Sequence, residues 1–173
     1  LPVDQAQLDA LLAPVAPSAW PGCSVIGDVK TTLMPSGLEI PKYRASDHSA
    51  TRVLLSAACT ALVSAENALN ALDAKSGDGD TGSTVKAAVQ SLADAIDQLP
   101  LADTAELLRA IGSTLSQSMG GSSGVILAIF FSSAGHAAAN GKTLSEALIS
   151  GLKRIQDVGG AQLGDRTMID ALA

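Results

Sequence analysis

Apolar residues recur at helical spacing through most of the chain beyond residue 47. Leu55, Ala58, Leu62, Ala65, Leu69 and Leu72 alternate steps of three and four, which predicts one long amphipathic helix from about Asp47 to just past Leu72. Val85, Val89, Leu92, Ile96 and Leu99 place a second helix after Gly82, ended by Pro100. Asp103 followed by Glu106 has the form of a capping box and opens a third, through Leu108, Ile111 and Leu115. From about Ser123 to Ala139 the chain is apolar on nearly every face, which predicts the most buried helix of the set. Asn140-Gly141 ends it. Thr143 with Glu146 caps another helix through Leu148, Leu152 and Ile155, Gly159-Gly160 breaks that one, and a last helix starts near Thr167. Residues 4–13 read as a short amphipathic helix stopped by Pro14, Pro17 and Pro21. Residues 22–45 hold no sustained period and read as a linker with room for one short strand. Helices joined by short connections predict an all-α fold, an up-and-down antiparallel bundle.

Composition agrees with helices. Aromatic residues are 2% of the 173 while apolar residues are 47%, so the core must be built from Ala, Leu, Val and Ile. A net charge of −6 argues against nucleic acid as a partner. Cys23 and Cys59 match no zinc or redox spacing and read as ordinary thiols of a reducing, cytoplasmic compartment. The longest strongly apolar run, Val125 to Phe131, is too short to span a bilayer, and no secretory signal is visible. The chain begins at Leu1 and stops as residues 167–173 turn helical, so it reads as part of a longer polypeptide.

Three glycine-rich loops carry candidate chemistry. In Leu72-Asp73-Ala74-Lys75-Ser76-Gly77-Asp78-Gly79-Asp80-Thr81-Gly82, three carboxylates crowd one loop, and a bound Mg²⁺ would relieve their repulsion. The interleaved glycines allow close approach to a phosphate, although Asp and Gly equally favour a solvated turn. Met119-Gly120-Gly121-Ser122-Ser123-Gly124 precedes the apolar helix and offers backbone N–H groups and two hydroxyls to an anion, or else a simple serine cap. Gly159-Gly160 through Thr167-Met168 is the third loop, where Thr167 caps a helix and Arg166 is available to a phosphate. Gly141-Lys142-Thr143 has the ending of a P-loop, but the earlier glycine is replaced by His136 and no strand precedes it, so these residues read as helix caps. His48 and His136 are isolated, and Trp20 reads as a packing anchor.

Together these blocks resemble the dihydroxyacetone kinase family, specifically its nucleotide-binding L domain. The residues that carry the resemblance run from Asn70 to Gly82, from Met119 to Gly124 and from Gly164 to Leu172, in the family's order. The Gly-Asp-Gly-Asp-Thr-Gly form with Leu-Asp-Ala before it is similar to the ATP-dependent members that fuse K and L domains. The resemblance implies a helical barrel with ATP at one rim, which would continue past Ala173. It implies that Asp73, Asp78 and Asp80 ligate two Mg²⁺ ions, that Gly79 and Thr81 line the same loop, that Ser122 and Ser123 bind phosphate, and that Gly159, Thr167 and Met168 border the nucleotide. It also implies a division into a K-domain tail (1–21), a linker (22–45) and the L domain (46–173), within a homodimeric full-length enzyme. The acceptor, a short-chain ketose or triose, would be held by a histidine of the K domain. Neither histidine here lies in such a motif, so no catalytic residue is assigned. Some members act on glyceraldehyde or cyclise a flavin nucleotide. An alternative is a subunit that holds ADP as a phosphate relay for a partner phosphotransferase, though Thr81 stands where that subunit typically has histidine. The more distant fatty-acid kinase group lacks the Leu-Asp-Ala lead.

Overall fold

The structure, a computed structural model, describes Gln5, Ala6, Asp9 and residues 42–173. The chain divides into two compact units, Leu1–Glu39 and Ile40–Ala173. In the first, Gln5, Ala6 and Asp9 are helical and Gln5 Nε2 donates to Asp9 Oδ1 at 2.8 Å, as expected for part of a helix over 4–13. Cys23, Trp20 and the linker up to residue 41 lie outside the described residues. Residues 42–45 form no strand, and only an isolated bridge pairs Ser46 with Pro100.

The second unit is all helical apart from that bridge. Its elements are α1 (Ser49–Ser64), α2 (Glu66–Asp73), α3 (Thr81–Asp94), a short 3₁₀ turn (Ile96–Gln98), α4 (Thr104–Ser118), α5 (Gly121–Ala139), α6 (Leu144–Gly159) and α7 (Met168–Leu172). The helices pack as an up-and-down bundle in which α1 and α2 both lie against α3, with α4, α5 and α6 the most closely packed row.

The caps explain where most helices start. Asp103 accepts the Glu106 N–H at 3.0 Å, but Glu106 turns its carboxylate to Arg109, so only half of the expected capping box forms. Thr143 and Glu146 form the complete box, and Gly160 closes α6 in the left-handed conformation (φ 76°). His48 caps α1: its Nδ1 accepts from the Thr51 N–H at 3.3 Å.

Three expectations change. The long first helix is two helices, α1 and α2, bent by 51° at Ala65. The second helix stops at Asp94, and Ile96 and Leu99 reach the core through the 3₁₀ turn and an extended residue. The stripe on α1 and α2 is also only partly covered. Leu55, Ala58 and Leu62 line a partly open apolar cavity of about 340 Å³, Leu72 is 59% exposed, and Cys59 is the buried residue of α1. The reason is that α1 packs chiefly against α3, while its contact with α4 is confined to a few side chains such as Leu55 and Cys59.

The apolar helix α5 is central, wedged between α4 and α6, and buries mostly its small residues: Gly124, Ala128, Ala134, Gly135 and Ala137. The whole helix, 19 residues from Gly121 to Ala139, is long and apolar enough by length and composition to cross a membrane. Here it lies between two helices of the bundle instead.

Candidate metal and nucleotide site

The acidic loop joins the end of α2 to the start of α3. Asp73, the last residue of α2, is half-buried, and its Oδ2 accepts from the backbone N–H groups of Gly79 (2.9 Å), Asp80 (3.1 Å) and Thr81 (3.4 Å). One carboxylate oxygen thus ties the loop to the helix end. Burial pushes the Asp73 carboxyl upward, but the N–H groups of Gly79 and Thr81, the Thr81 hydroxyl and the Asp80 N–H outweigh it and hold it below the ordinary range.

Asp78 and Asp80 are exposed, and the three carboxylates each offer an oxygen within 4.8 Å of the others. Repulsion from Asp78, then hydrogen bonding to Asp78, burial and the charge of Asp73 push the Asp80 carboxyl above its ordinary value. Three carboxylates held this closely form a hard, all-oxygen donor set, and the strain on Asp80 is what a divalent cation would relieve. The residues present therefore fit Mg²⁺.

The second loop faces the first. A cleft of about 290 Å³ is bounded by Asp78, Asp80, Thr81 and Thr84 on one side and by Met119 to Ser123 on the other. Met119 and Gly120 alone separate α4 from α5, so the loop must fold back on the first turn of α5. Gly124 permits this, since a Cβ there would sit 2.1 Å from the Met119 carbonyl oxygen. The N-cap of α5 is Gly120, and no side chain caps the helix, so Ser122 and Ser123 are not serving as caps. The start of α5, with Ser122 and Ser123, thus lines the cleft opposite Asp78 and Asp80, and the first N–H groups of a helix lack partners within the helix itself.

Gly159, Thr167 and Met168 lie in a second, apolar pocket of about 220 Å³, walled by Val125, Ile126 and Ile129 of α5 and by Ile155 and Val158 of α6. The expected site residues are thus divided between two cavities that flank the first turns of α5: Asp78, Asp80, Thr81 and the serines in one, the third loop in the other, while Asp73 lines neither and joins the site through the acidic loop. Gly79 belongs to the acidic loop through its bond to Asp73. The third loop is knitted by carboxylates. Asp170 accepts from the Gly164 N–H at 2.7 Å and the Thr167 N–H at 2.9 Å, and Asp165 accepts from the Gln162 N–H at 2.8 Å. Arg166 is exposed with φ 59° and borders neither cavity.

The family profile described as the DAK2 domain matches residues 75–173. The chain belongs to the DAK2 domain family. Dihydroxyacetone kinase of Citrobacter freundii is 41% identical over 165 residues, covering 94% of this chain and 30% of the relative. Human triokinase/FMN cyclase is 33% identical over 181 residues, covering 98% and 32%. The crystal structure of the C. freundii kinase in its native form superposes with a TM-score of 0.75 at 40% identity over 87% of this chain and 28% of that one. Its complex with AMP-PNP and Mg²⁺ superposes with a TM-score of 0.74 at 40% identity, over 88% and 28%. The DAK2 chain spans less than a third of the length of these relatives.

Sequence reasoning gave no role to several residues in and behind this cleft. Thr84 joins the cleft one turn after Asp80, at the helical spacing that could have found it. Asn70, Glu66, Ser83 and Lys86 form a hydrogen-bonded seam between α2 and α3 directly behind the acidic loop. Asn70 lies three residues before Asp73 on α2, the same-face spacing that was the available signal. His48 is engaged as a cap and His136 lies on the outer side of α5, so neither borders the cleft.

Proposed function

We propose that this DAK2 domain binds ATP with Mg²⁺ and presents the γ-phosphoryl group for transfer to a hydroxyl of a short-chain ketose or triose held by a separate K domain. The observation that carries this reading is the single cleft with Asp78 and Asp80 on one wall and Ser122 and Ser123 on the other. Asp78 and Asp80, with Asp73, would hold the metal, two ions by the family resemblance; bound there, the metal would neutralise phosphate charge. Ser122, Ser123 and the N–H groups opening α5 would donate to phosphate oxygens. Asp73 would hold the loop in register, with Gly79 and Thr81 as its N–H donors. The pocket of Gly159, Thr167 and Met168 would take the apolar face of the nucleobase. Phosphoryl transfer asks mainly for positioning and charge neutralisation, which these groups supply. The same reading divides the chain into a K-domain tail at 1–21, a linker at 22–45 and the nucleotide domain at 46–173.

The test is a titration of the protein with ATP, with and without Mg²⁺. Mg²⁺-dependent binding is expected, and Asp78→Asn should weaken it by 10-fold or more because the remaining carboxylates cannot replace the lost ligand. Equal ATP affinity with and without Mg²⁺, unchanged in Asp78→Asn, would refute the metal assignment. Retention of ADP through purification with no exchange against ATP would favour the phosphate-relay reading.

A further inference from the structure

Asp80 occupies the N-cap position of α3, where an aspartate normally accepts the N–H of the third helical residue with its own carboxylate. Here it does not: no side-chain cap bond is made by Asp80. The N–H in question belongs to Ser83, and it goes instead to Asn70 Oδ1, on α2, at 3.2 Å. The same amide returns a second bond, Asn70 Nδ2 donating to Ser83 Oγ at 3.1 Å. Ser83 Oγ in turn donates to Glu66 Oε1 at 3.3 Å, and the other oxygen of Glu66 accepts from Lys86 at 2.8 Å. Each donor in the seam meets an acceptor, which fixes the orientation of the Asn70 amide.

The packing makes this reach possible. Gly82 is buried, and a Cβ on it would lie 2.0 Å from the Glu66 carbonyl oxygen and 2.7 Å from Asn70 Oδ1. The backbones of α2 and α3 therefore meet without an intervening side chain, close enough for a residue of α2 to cap α3.

We infer that Asn70 is a positioning residue: it caps α3 in place of Asp80 and so leaves the Asp80 carboxylate facing the cleft, free to serve as a metal ligand. The inference rests on the metal reading above. Its consequence separates positioning from plain stability. When Asn70 is truncated, Ser83 loses its cap, and Asp80, whose backbone is helical here (φ −113°, ψ −3°), can supply one by turning its ψ to the extended value of a capping residue. The helix is recapped, and the cleft loses a ligand.

The experiment measures Mn²⁺ binding by electron paramagnetic resonance of the free ion, together with the melting temperature of the metal-free protein. Asn70→Ala should weaken Mn²⁺ binding by 10-fold or more, while the metal-free melting temperature stays near that of the wild type. Asn70→Asp, which keeps an oxygen for the Ser83 N–H, should restore most of the affinity. In an Asp80→Asn background, Asn70→Ala should cost little further affinity, since the ligand it frees is already gone. Wild-type Mn²⁺ affinity in Asn70→Ala overturns the inference and leaves the metal reading standing. So does a loss that follows a large fall in melting temperature and is not rescued by Asn70→Asp. A wild-type protein that binds no Mn²⁺ overturns both.

Discussion

Asp73 and Asp80 are the same residue type in one loop, and their surroundings push them in opposite directions. Asp73 is held low because backbone N–H groups converge on it; Asp80 is held high because Asp78 repels it. Metal binding needs the charged form of Asp80, so protons compete with the metal. An unperturbed aspartate would stay charged down to about pH 4. With the Asp80 carboxyl raised, Mg²⁺ affinity should start to fall at a higher pH than that as the solution is acidified. Carboxyl-carbon NMR of the metal-free protein should show Asp80 titrating above Asp73, and Asp78→Asn should bring Asp80 down. Across the cleft, Ser122→Ala with Ser123→Ala should weaken ATP binding by about 1–3 kcal/mol, the scale of hydrogen bonds to a charged group. Since neither hydroxyl caps α5, the melting temperature should barely move. Isothermal titration of ATP beside a thermal melt separates these outcomes.

At the scale of elements, the site depends on two close approaches, α2 against α3 and the serine loop against α5. Gly82→Ala puts a methyl group into the Glu66 carbonyl, which is backbone and cannot rotate away. The helices must separate, at a cost of about 1–3 kcal/mol. That separation also pulls Asn70 from Ser83 and shifts the acidic loop. The expected result is a lower melting temperature together with lost Mg²⁺ affinity, measured by thermal melts and ion titration on one sample. Unchanged metal affinity in a folded Gly82→Ala protein would show that the loop holds its shape without the α2–α3 contact.

At the scale of the whole molecule, the proposed metal and phosphate cleft is bordered by neither histidine of the chain. His48 is a helix cap, and His136 lies outside the cleft. The 173-residue chain incubated with ATP, Mg²⁺ and dihydroxyacetone should therefore bind nucleotide without forming dihydroxyacetone phosphate. Phosphoryl transfer needs both reactants aligned in one site, and that alignment supplies much of the rate. Steady product formation by the purified chain would place the acceptor site within these residues.

The sequence by itself determined the helical class, most helix starts and the three loops. Those depend on local chemistry: the spacing of Leu and Val, the Thr143–Glu146 box, and Gly160 at a helix end all act within a few residues. It did not determine the break at Ala65, because a continuous period of three and four says nothing about which neighbours a helix meets. Nor did it determine how well the α1 stripe is covered, which depends on the helices beside it. The division of the site residues between two cavities was likewise decided by tertiary structure, since that depends on which side of α5 each loop meets. So was the role of Asn70, because its partner, Ser83, comes within 3.2 Å only when α2 and α3 pack backbone to backbone at Gly82.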